Sequence, residues 1–410
     1  MVTVNAWNNL SGLERFVPHS PPRSETMATP GNAPISVVLA DSRFSGSGDT
    51  QGLLAAMLRA NDRISDLIFS PGRLPQVEVN GQLIAVEGPG LRPFNADDTR
   101  RIAADLIGSN KQAITLLREQ GYCDVSYGLA GLARFRVNIF IQRGSCAVVM
   151  RVIPTAIPDL DSLGLPPQLG EVASLRDGIV LVTGPRGSGK SSTLAALLDR
   201  INQQQVCHII TIEDPIEFLH NHKRATIHQR ELHSDTPSIS LALRAALRQT
   251  PNVILVGELR DRETMEMALE AAETGHLVLS SLNTVDAAKT VERIVGAFSV
   301  PEQAAVRSRL AKTFRYIVSQ RLIPRKNGGG RIAIVEILKA HPRTLRCMEA
   351  TDFSAQSLLH AIKESSADSM QHFDGEIEKL VRAGVVDLET ATRYATEPEE
   401  LRQTLSDCRL

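Results

Sequence analysis

The sequence predicts an α/β protein: a domain built on a parallel-containing sheet, preceded by a smaller α+β domain and followed by a helical subdomain. Three observations predict it. From Gly178 onward short apolar runs alternate with helical segments, at 179–182, 208–212, 253–256, 277–280 and 332–338. That texture is expected of a parallel sheet covered on both faces. Upstream, from Gly52 to Val152, two-residue alternation and helical spacing are mixed. Beyond Pro342 only helical periodicity remains. A chain of 410 residues, 42% hydrophobic and 22% charged, has room for two or three domains with real cores, which excludes wholesale disorder.

Residues 1–50 mix Pro, Ser, Gly and Asn without sustained periodicity and read as a disordered tail, with a short ordered piece expected near Val37 to Ala40. The α+β domain is expected over 51–153. Leu53, Leu54, Met57 and Leu58 follow helical spacing, and Ser65 to Phe69 is strand-like. Val77 and Val79 alternate up to Asn80-Gly81, a hairpin signal because both residues tolerate positive φ. Asn95 with Asp98 three residues later marks a helix start. Residues 134–140 alternate through Phe135, Val137 and Ile139, and 147–152 forms a further strand. A linker rich in Pro, Asp and Leu is expected over 154–172, the main sheet domain over 173–340 and the helical subdomain over 341–410.

The net charge of −1 argues against a dedicated nucleic-acid binder. Aromatics at 4% offer no stacking platform for a motor on single strands. No stretch approaches the roughly 18 consecutive apolar residues of a membrane-spanning helix. Met1 to Leu10 lacks the basic and apolar regions of a signal peptide, so a cytosolic protein is expected. The five cysteines, Cys123, Cys146, Cys207, Cys347 and Cys408, are scattered and form no CxxC pair, so no disulfide framework or zinc ribbon is indicated.

The strongest chemical signal is Gly184-Pro185-Arg186-Gly187-Ser188-Gly189-Lys190-Ser191, followed by Ser192. It fits G-x-x-x-x-G-K-[ST] and lies between an apolar strand and a helix running through Thr193, Leu194 and Leu197. Backbone N–H groups of such a loop point inward at phosphate oxygens, helped by the positive end of the helix. Lys190 is expected on the β- and γ-phosphates of ATP, and Ser191 on Mg²⁺.

Hydrolysis needs one carboxylate to orient or deprotonate water and another for the water shell of the metal. Two acids end expected strands. Glu258 follows Val253-Ile-Leu-Val-Gly257, a Walker B-like strand in which Gly257 takes the place of the usual metal-binding Asp. Glu213 lies in Ile210-Thr-Ile-Glu213-Asp214-Pro215, at the strand edge where open parallel sheets bind ligands. Glu258 is assigned as general base and Glu213 as ligand to a Mg²⁺-bound water, roles that the sequence alone leaves exchangeable. His276, after Gly275 at a strand start, is a candidate to sense the γ-phosphate or bridge to Glu258. Arg244 and Arg248, just before the Glu258 strand, are placed to report between motifs.

These motifs in this order resemble the secretion ATPase superfamily, in its type IV pilus retraction branch, over about Leu53 to Leu380. The Asp box resembles Thr211 to Glu217, the atypical Walker B Val253 to Asp261, and the His box Thr274 to Thr284. An arginine-rich strand pair is similar to Ala133 to Gly144 with Arg151 to Pro154, and Gln320-Arg321-Leu322 and Gly328 to Glu336 are similar too. The resemblance implies a PAS-like N-terminal domain and a RecA-like P-loop ATPase domain, in a homo-hexamer. The ring would act at the cytoplasmic side of the inner membrane on the pilus platform protein and pilus machinery. It implies catalytic arginines, Arg134, Arg136, Arg143 and Arg151, supplied across a cleft to the nucleotide. Such arginines couple hydrolysis to closure of one body on another.

The chain departs from the family pattern at several points. Asn283 stands for the second His of the His box, Ile68 for a His after Ser-Asp-Leu, and Thr250-Pro251-Asn252 for an acidic segment. Arg343 to Arg346 is the segment nearest to a C-terminal Ala-Ile-Arg signature that is not matched. Assembly and type II secretion ATPases generally carry a four-cysteine zinc module, and here no cysteine lies between Cys207 and Cys347. The expected function is therefore a hexameric ATPase powering pilus retraction. The alternatives are an assembly or secretion ATPase, or a nucleotide-binding accessory paralogue with little hydrolysis.

Overall fold

A computed structural model of the chain describes residues 35–36, 49–154, 156–350, 353–365 and 369–407. The piece expected at Val37 to Ala40 and Cys408 lie outside the described residues. The chain divides into two compact units, Met1–Pro154 and Thr155–Leu410.

In the first unit a short strand β1 (Ile35–Ser36) precedes helix α1 (Thr50–Ala60), whose start is capped by Asp49 accepting from the Gly52 N–H at 2.8 Å. Leu53, Leu54 and Met57 form its buried face. Strands β2 (Ile64–Phe69), β3 (Gln76–Val79) and β4 (Gln82–Glu87) follow. Asn80 and Gly81, at φ 52° and 80°, make the expected two-residue turn between β3 and β4. Helix α2 (Ala96–Ile107) starts at a reciprocal cap: the Asn95 side chain accepts from the Asp98 N–H, and Asp98 accepts from the Asn95 N–H. Helix α3 (Lys111–Gln120), β5 (Tyr122–Leu129), β6 (Ala133–Gln142) and β7 (Ser145–Ile153) complete the unit. The sequence pattern gives little warning of α3 and β5. Only Ala113 and Leu117 of α3 are buried, and β5 interleaves Asp124, Ser126 and Gly128. The sheet order is β1-β4-β3-β2-β7-β6-β5, antiparallel except for β1 against β4.

The second unit opens with a 3-10 segment (Pro167–Ser174) and β8 (Gly178–Thr183). Then come α4 (Lys190–Gln204), β9 (His208–Glu213), β10 (Thr226–Glu231), α5 (Ile239–Ala246), β11 (Val253–Val256), α6 (Arg262–Glu273), β12 (Leu277–Leu282), α7 (Ala287–Val295) and α8 (Val300–Thr313). A long hairpin, β13 (Phe314–Pro324) with β14 (Arg331–Lys339), closes the sheet. The order is β10-β9-β11-β12-β8-β13-β14, and only β13 against β14 is antiparallel. The central strands β8, β11 and β12 are buried throughout, so they read as apolar runs rather than alternating ones. Alternate residues of β8 enter two cores: Ile179 and Leu181 face α6 to α8, and Val180 and Val182 face α4. Two strands escape the apolar-run criterion. β10 (Thr-Ile-His-Gln-Arg-Glu) is a polar edge strand, and β13 begins at Phe314 directly where α8 ends.

Among the described residues five helices follow β14: α9 (Pro342–Glu349), α10 (Ala355–Glu364), α11 (Phe373–Arg382), α12 (Leu388–Tyr394) and α13 (Pro398–Asp407). They lie within the second compact unit. Met348, Leu358 and Ile362 join the core on the Ile179 side of the sheet, and Phe373, Ile377, Ala391 and Leu401 pack with Ile323 and Ile334 of the hairpin. Among the described residues no helix is long and apolar enough to cross a membrane.

Candidate active site

The loop between β8 and α4 is shaped by three glycines at positive φ, two of which leave no room for a side chain. Gly184, Gly187 and Gly189 have φ of 145°, 75° and 93°. A Cβ on Gly184 would lie 2.3 Å from the Gln320 carbonyl oxygen, and one on Gly189 would lie 2.8 Å from Gln320 Nε2. Thr183 Oγ1 donates to Ser319 Oγ at 3.0 Å and Thr193 Oγ1 to Gln320 Oε1 at 2.7 Å, so β13 grips both ends of the loop. Lys190 Nζ donates back to the carbonyls of Gly184 (2.8 Å) and Pro185 (3.1 Å). Burial lowers its pKa, with Glu258 and Glu217 opposing that shift. The Ser188 hydroxyl is buried without a hydrogen-bond partner. An orphaned donor in a cup of backbone N–H groups suits a loop built to wrap an anion.

The acids gather at the C-terminal ends of β9 and β11. Glu258 Oε2 accepts from Arg260 Nε at 2.9 Å, and Arg260 also donates to Asp214 Oδ2 at 2.8 Å. Glu258 Oε1 accepts from Asn283 Nδ2. The general-base candidate is thus held from two sides, and its charge partly offsets the lowering that burial imposes on the Lys190 pKa. A Cβ on Gly257 would meet only ordinary contacts, the nearest at 3.5 Å, so packing does not force the missing Asp.

Glu213, expected to hold a Mg²⁺-bound water, is engaged with its neighbours in the sheet. Its Oε1 accepts from Thr211 Oγ1 (2.6 Å) and Gln229 Nε2 (3.1 Å), and burial pushes its pKa up against those bonds. The Ser191 hydroxyl instead donates to Glu217 Oε1 at 2.8 Å. A hydroxyl beside a carboxylate fits Mg²⁺, which takes one or two protein oxygens and keeps several waters. Glu217 lies within the Asp box but past the strand end, where the sequence argument stopped.

His276, expected to sense the γ-phosphate or bridge to Glu258, stands at the far end of its strand. In the register of β12 with β8, Leu277 pairs with Gly178 and Leu282 with Thr183. His276 therefore sits where β12 begins, about 20 Å from the phosphate-loop end at 3.3 Å per residue. It donates through Nδ1 to the Ala271 carbonyl at 2.9 Å, with Thr274 Oγ1 at 3.2 Å, and closes the turn after α6. It does not bridge to Glu258 in this subunit. Asn283, at the other end of the strand, does.

The four arginines do not form one group. Phe135, Val137 and Ile139 of β6 face the core, so Arg134 and Arg136 lie on the outward face, with Arg136 opposite Arg151 of β7. Arg151 Nε donates to Asp66 Oδ1 at 3.0 Å. Arg143 instead occupies the β6–β7 turn with Gly144, at φ 48° and 75°. Six residues of extended strand separate it from Arg136, about 20 Å.

Residues 130–393 match the family described as Type II/IV secretion system protein. The chain belongs to that family. Among relatives in the secretion-protein family, it is 41% identical over 340 residues to the type IV pilus retractation ATPase PilT of Pseudomonas aeruginosa, covering 83% of this chain and 96% of the relative. It is 40% identical over 327 residues to a twitching motility protein of Neisseria gonorrhoeae, covering 80% and 86%. The crystal structure of the pilus retraction motor PilT with bound ADP matches at a TM-score of 0.77 and 38% identity, covering 87% of this chain and all of that one.

Sequence reasoning missed Glu217, Gln320 and Thr193 as parts of this site. Gln320 had a signal, since Gln320-Arg321-Leu322 resembles a family motif, but no spacing rule ties a strand after α8 to the loop before α4. Asn283 was singled out only as a departure.

Proposed function

We propose that this chain is a Mg²⁺-dependent ATPase that powers type IV pilus retraction as a ring of six copies at the cytoplasmic side of the inner membrane. There it acts through the pilus platform protein. The observation that carries the reading is 41% identity across 96% of a pilus retraction ATPase, supported by a phosphate loop and Glu258 at one edge of one sheet.

The chemistry follows from the residues. Lys190 leaves the carbonyls of Gly184 and Pro185 for the β- and γ-phosphate oxygens of ATP. Ser191 and Glu217 would hold Mg²⁺, which would supply positive charge to the phosphate oxygens. Glu258, oriented by Asn283 and Arg260, takes a proton from the attacking water. The new bond forms between that oxygen and the γ-phosphorus, the bond to the β–γ bridging oxygen breaks, and ADP and phosphate leave. Arg134, Arg136, Arg143 and Arg151 would supply positive charge to the phosphoryl group in transfer.

Purified protein is expected to hydrolyse ATP only with Mg²⁺, and Arg136→Ala to lower kcat with little effect on ADP affinity. Deleting the gene and scoring surface pili tests the direction of work. Excess, non-retracting filaments support retraction; absent filaments overturn it in favour of assembly.

A further inference from the structure

The segment 319–321 of β13 touches two parts of the second unit that are otherwise separate. Successive side chains of a strand point to opposite faces. On one face Gln320, which is 3% exposed, accepts from Thr193 in the first turn of α4. Its carbonyl and its amide nitrogen occupy the spaces that side chains on Gly184 and Gly189 would need. On the other face Arg321 lays its guanidinium 3.8 Å from the Phe373 ring centroid and donates to the Tyr394 carbonyl at 2.6 Å. Phe373 begins α11 and Tyr394 ends α12. Asp374 extends the link by accepting from the backbone N–H groups of Thr396 and Glu397 at 2.6 and 2.7 Å. Beside Arg321 the buried Glu336 accepts from the Ala287 N–H at 2.8 Å, which anchors the start of α7.

We infer that Gln320 and Arg321 are a two-sided coupling element: Gln320 positions the phosphate loop, and Arg321 ties the same two residues of backbone to helices α11 and α12. The inference rests on the reading of the loop as a nucleotide site. Bound nucleotide draws on Lys190 and the loop N–H groups, and any shift of Gly184, Gly189 or α4 presses on Gln320. Because Gln320 and Arg321 share a peptide bond, that displacement reaches the Arg321 guanidinium within one residue. By reciprocity, weakening the Arg321 dock must alter nucleotide affinity by the same factor as nucleotide alters docking. Neither residue contacts the reacting atoms in this account; both are positioning residues.

The test is hydrogen–deuterium exchange on the full chain with and without Mg·ADP, read over residues 373–394, with ADP affinity measured by calorimetry. In the unaltered protein, ADP is expected to change exchange in both α11 and α12. Arg321→Ala should still bind ADP, about fivefold more weakly, and should lose that exchange response. Gln320→Ala should weaken ADP binding similarly and lose the response too. If Arg321→Ala no longer melts cooperatively, Arg321→Lys replaces it. Lysine keeps the charge but cannot lie flat on Phe373, and should at least halve the response. ADP binding without any exchange change in α11 and α12, or a full response in the Arg321 variants, overturns the coupling alone. No ADP binding by the unaltered chain overturns the nucleotide reading and the coupling with it.

Discussion

The two ends of β12 carry polar residues of a single sequence motif yet do different work. Where the strand begins, the bonds are closures of the fold. His276 N–H donates to the Ala271 carbonyl (3.1 Å), the Gly178 N–H to the His276 carbonyl (3.0 Å), and the Leu277 N–H to the Asn252 carbonyl (3.0 Å). Where it ends, the bonds join the segments proposed to carry the chemistry. Gly184 N–H donates to the Leu282 carbonyl (3.3 Å), Ser281 Oγ to the Gly257 carbonyl (2.6 Å), and Asn283 to Glu258. A parallel sheet places every loop that follows a strand at one edge, and chemistry gathers there. Seven positions in sequence are enough to move a residue from that edge to the opposite one.

The contrast breaks most sharply at Lys190. Lys190→Ala removes the ammonium proposed to reach the β- and γ-phosphates, and steady-state phosphate release is expected to vanish. Persistent turnover would mean the loop is not the hydrolytic site. Glu258→Gln comes next. It keeps the shape and the Asn283 contact but not the basicity, and should lower kcat at least about 10²-fold, the scale of losing one strong catalytic group. ADP affinity from calorimetry should stay within about threefold. Unchanged kcat would move the base role elsewhere, with Glu213 the remaining acid at the end of β9.

How much of this was legible in the sequence depended on whether a residue's partner lay nearby in the chain. The Asn80-Gly81 turn and the Asn95–Asp98 cap were readable because each is closed locally, and the phosphate loop because its motif is a run of consecutive residues, even though β13 grips its ends. The buried strands β8, β9, β11, β12 and β14 were readable as apolar runs. β10 and β13 were not, one for being polar at an edge and the other for running straight on from α8. Glu258 was legible as the acid ending a strand. The partner of Ser191 was not, since the backbone between Glu213 and Glu217 decides which carboxylate turns toward α4. The separation of Arg143 from Arg136 follows from strand length alone, but a motif read as a string of arginines conceals it.

Asn283 tests what the exit of β12 contributes. Its amide fixes one oxygen of Glu258 without carrying charge at any working pH. Asn283→Ala frees that oxygen and should lower kcat about tenfold, less than loss of the base itself. Asn283→His sharpens the point with a pH profile. A neutral imidazole can donate to Glu258 in the same way, so activity should be retained near pH 8. Below about 6.5, the ordinary histidine pKa, the imidazolium pairs with the carboxylate and lowers its basicity, so kcat should fall with pH more steeply than in the unaltered chain. Identical profiles would separate Asn283 from the base.

The smallest effect is expected where β12 begins. His276→Ala deletes the bond to the Ala271 carbonyl but touches nothing at the loop edge. One hydrogen bond contributes about 1 kcal/mol, which in a unit of this size corresponds to about 2–4 °C in Tm. The kcat should stay within about twofold. If kcat instead falls more than tenfold while Tm holds, assembly would have to bring His276 to a site on a second copy, and the division of labour between the ends of β12 would be a property of the single subunit only.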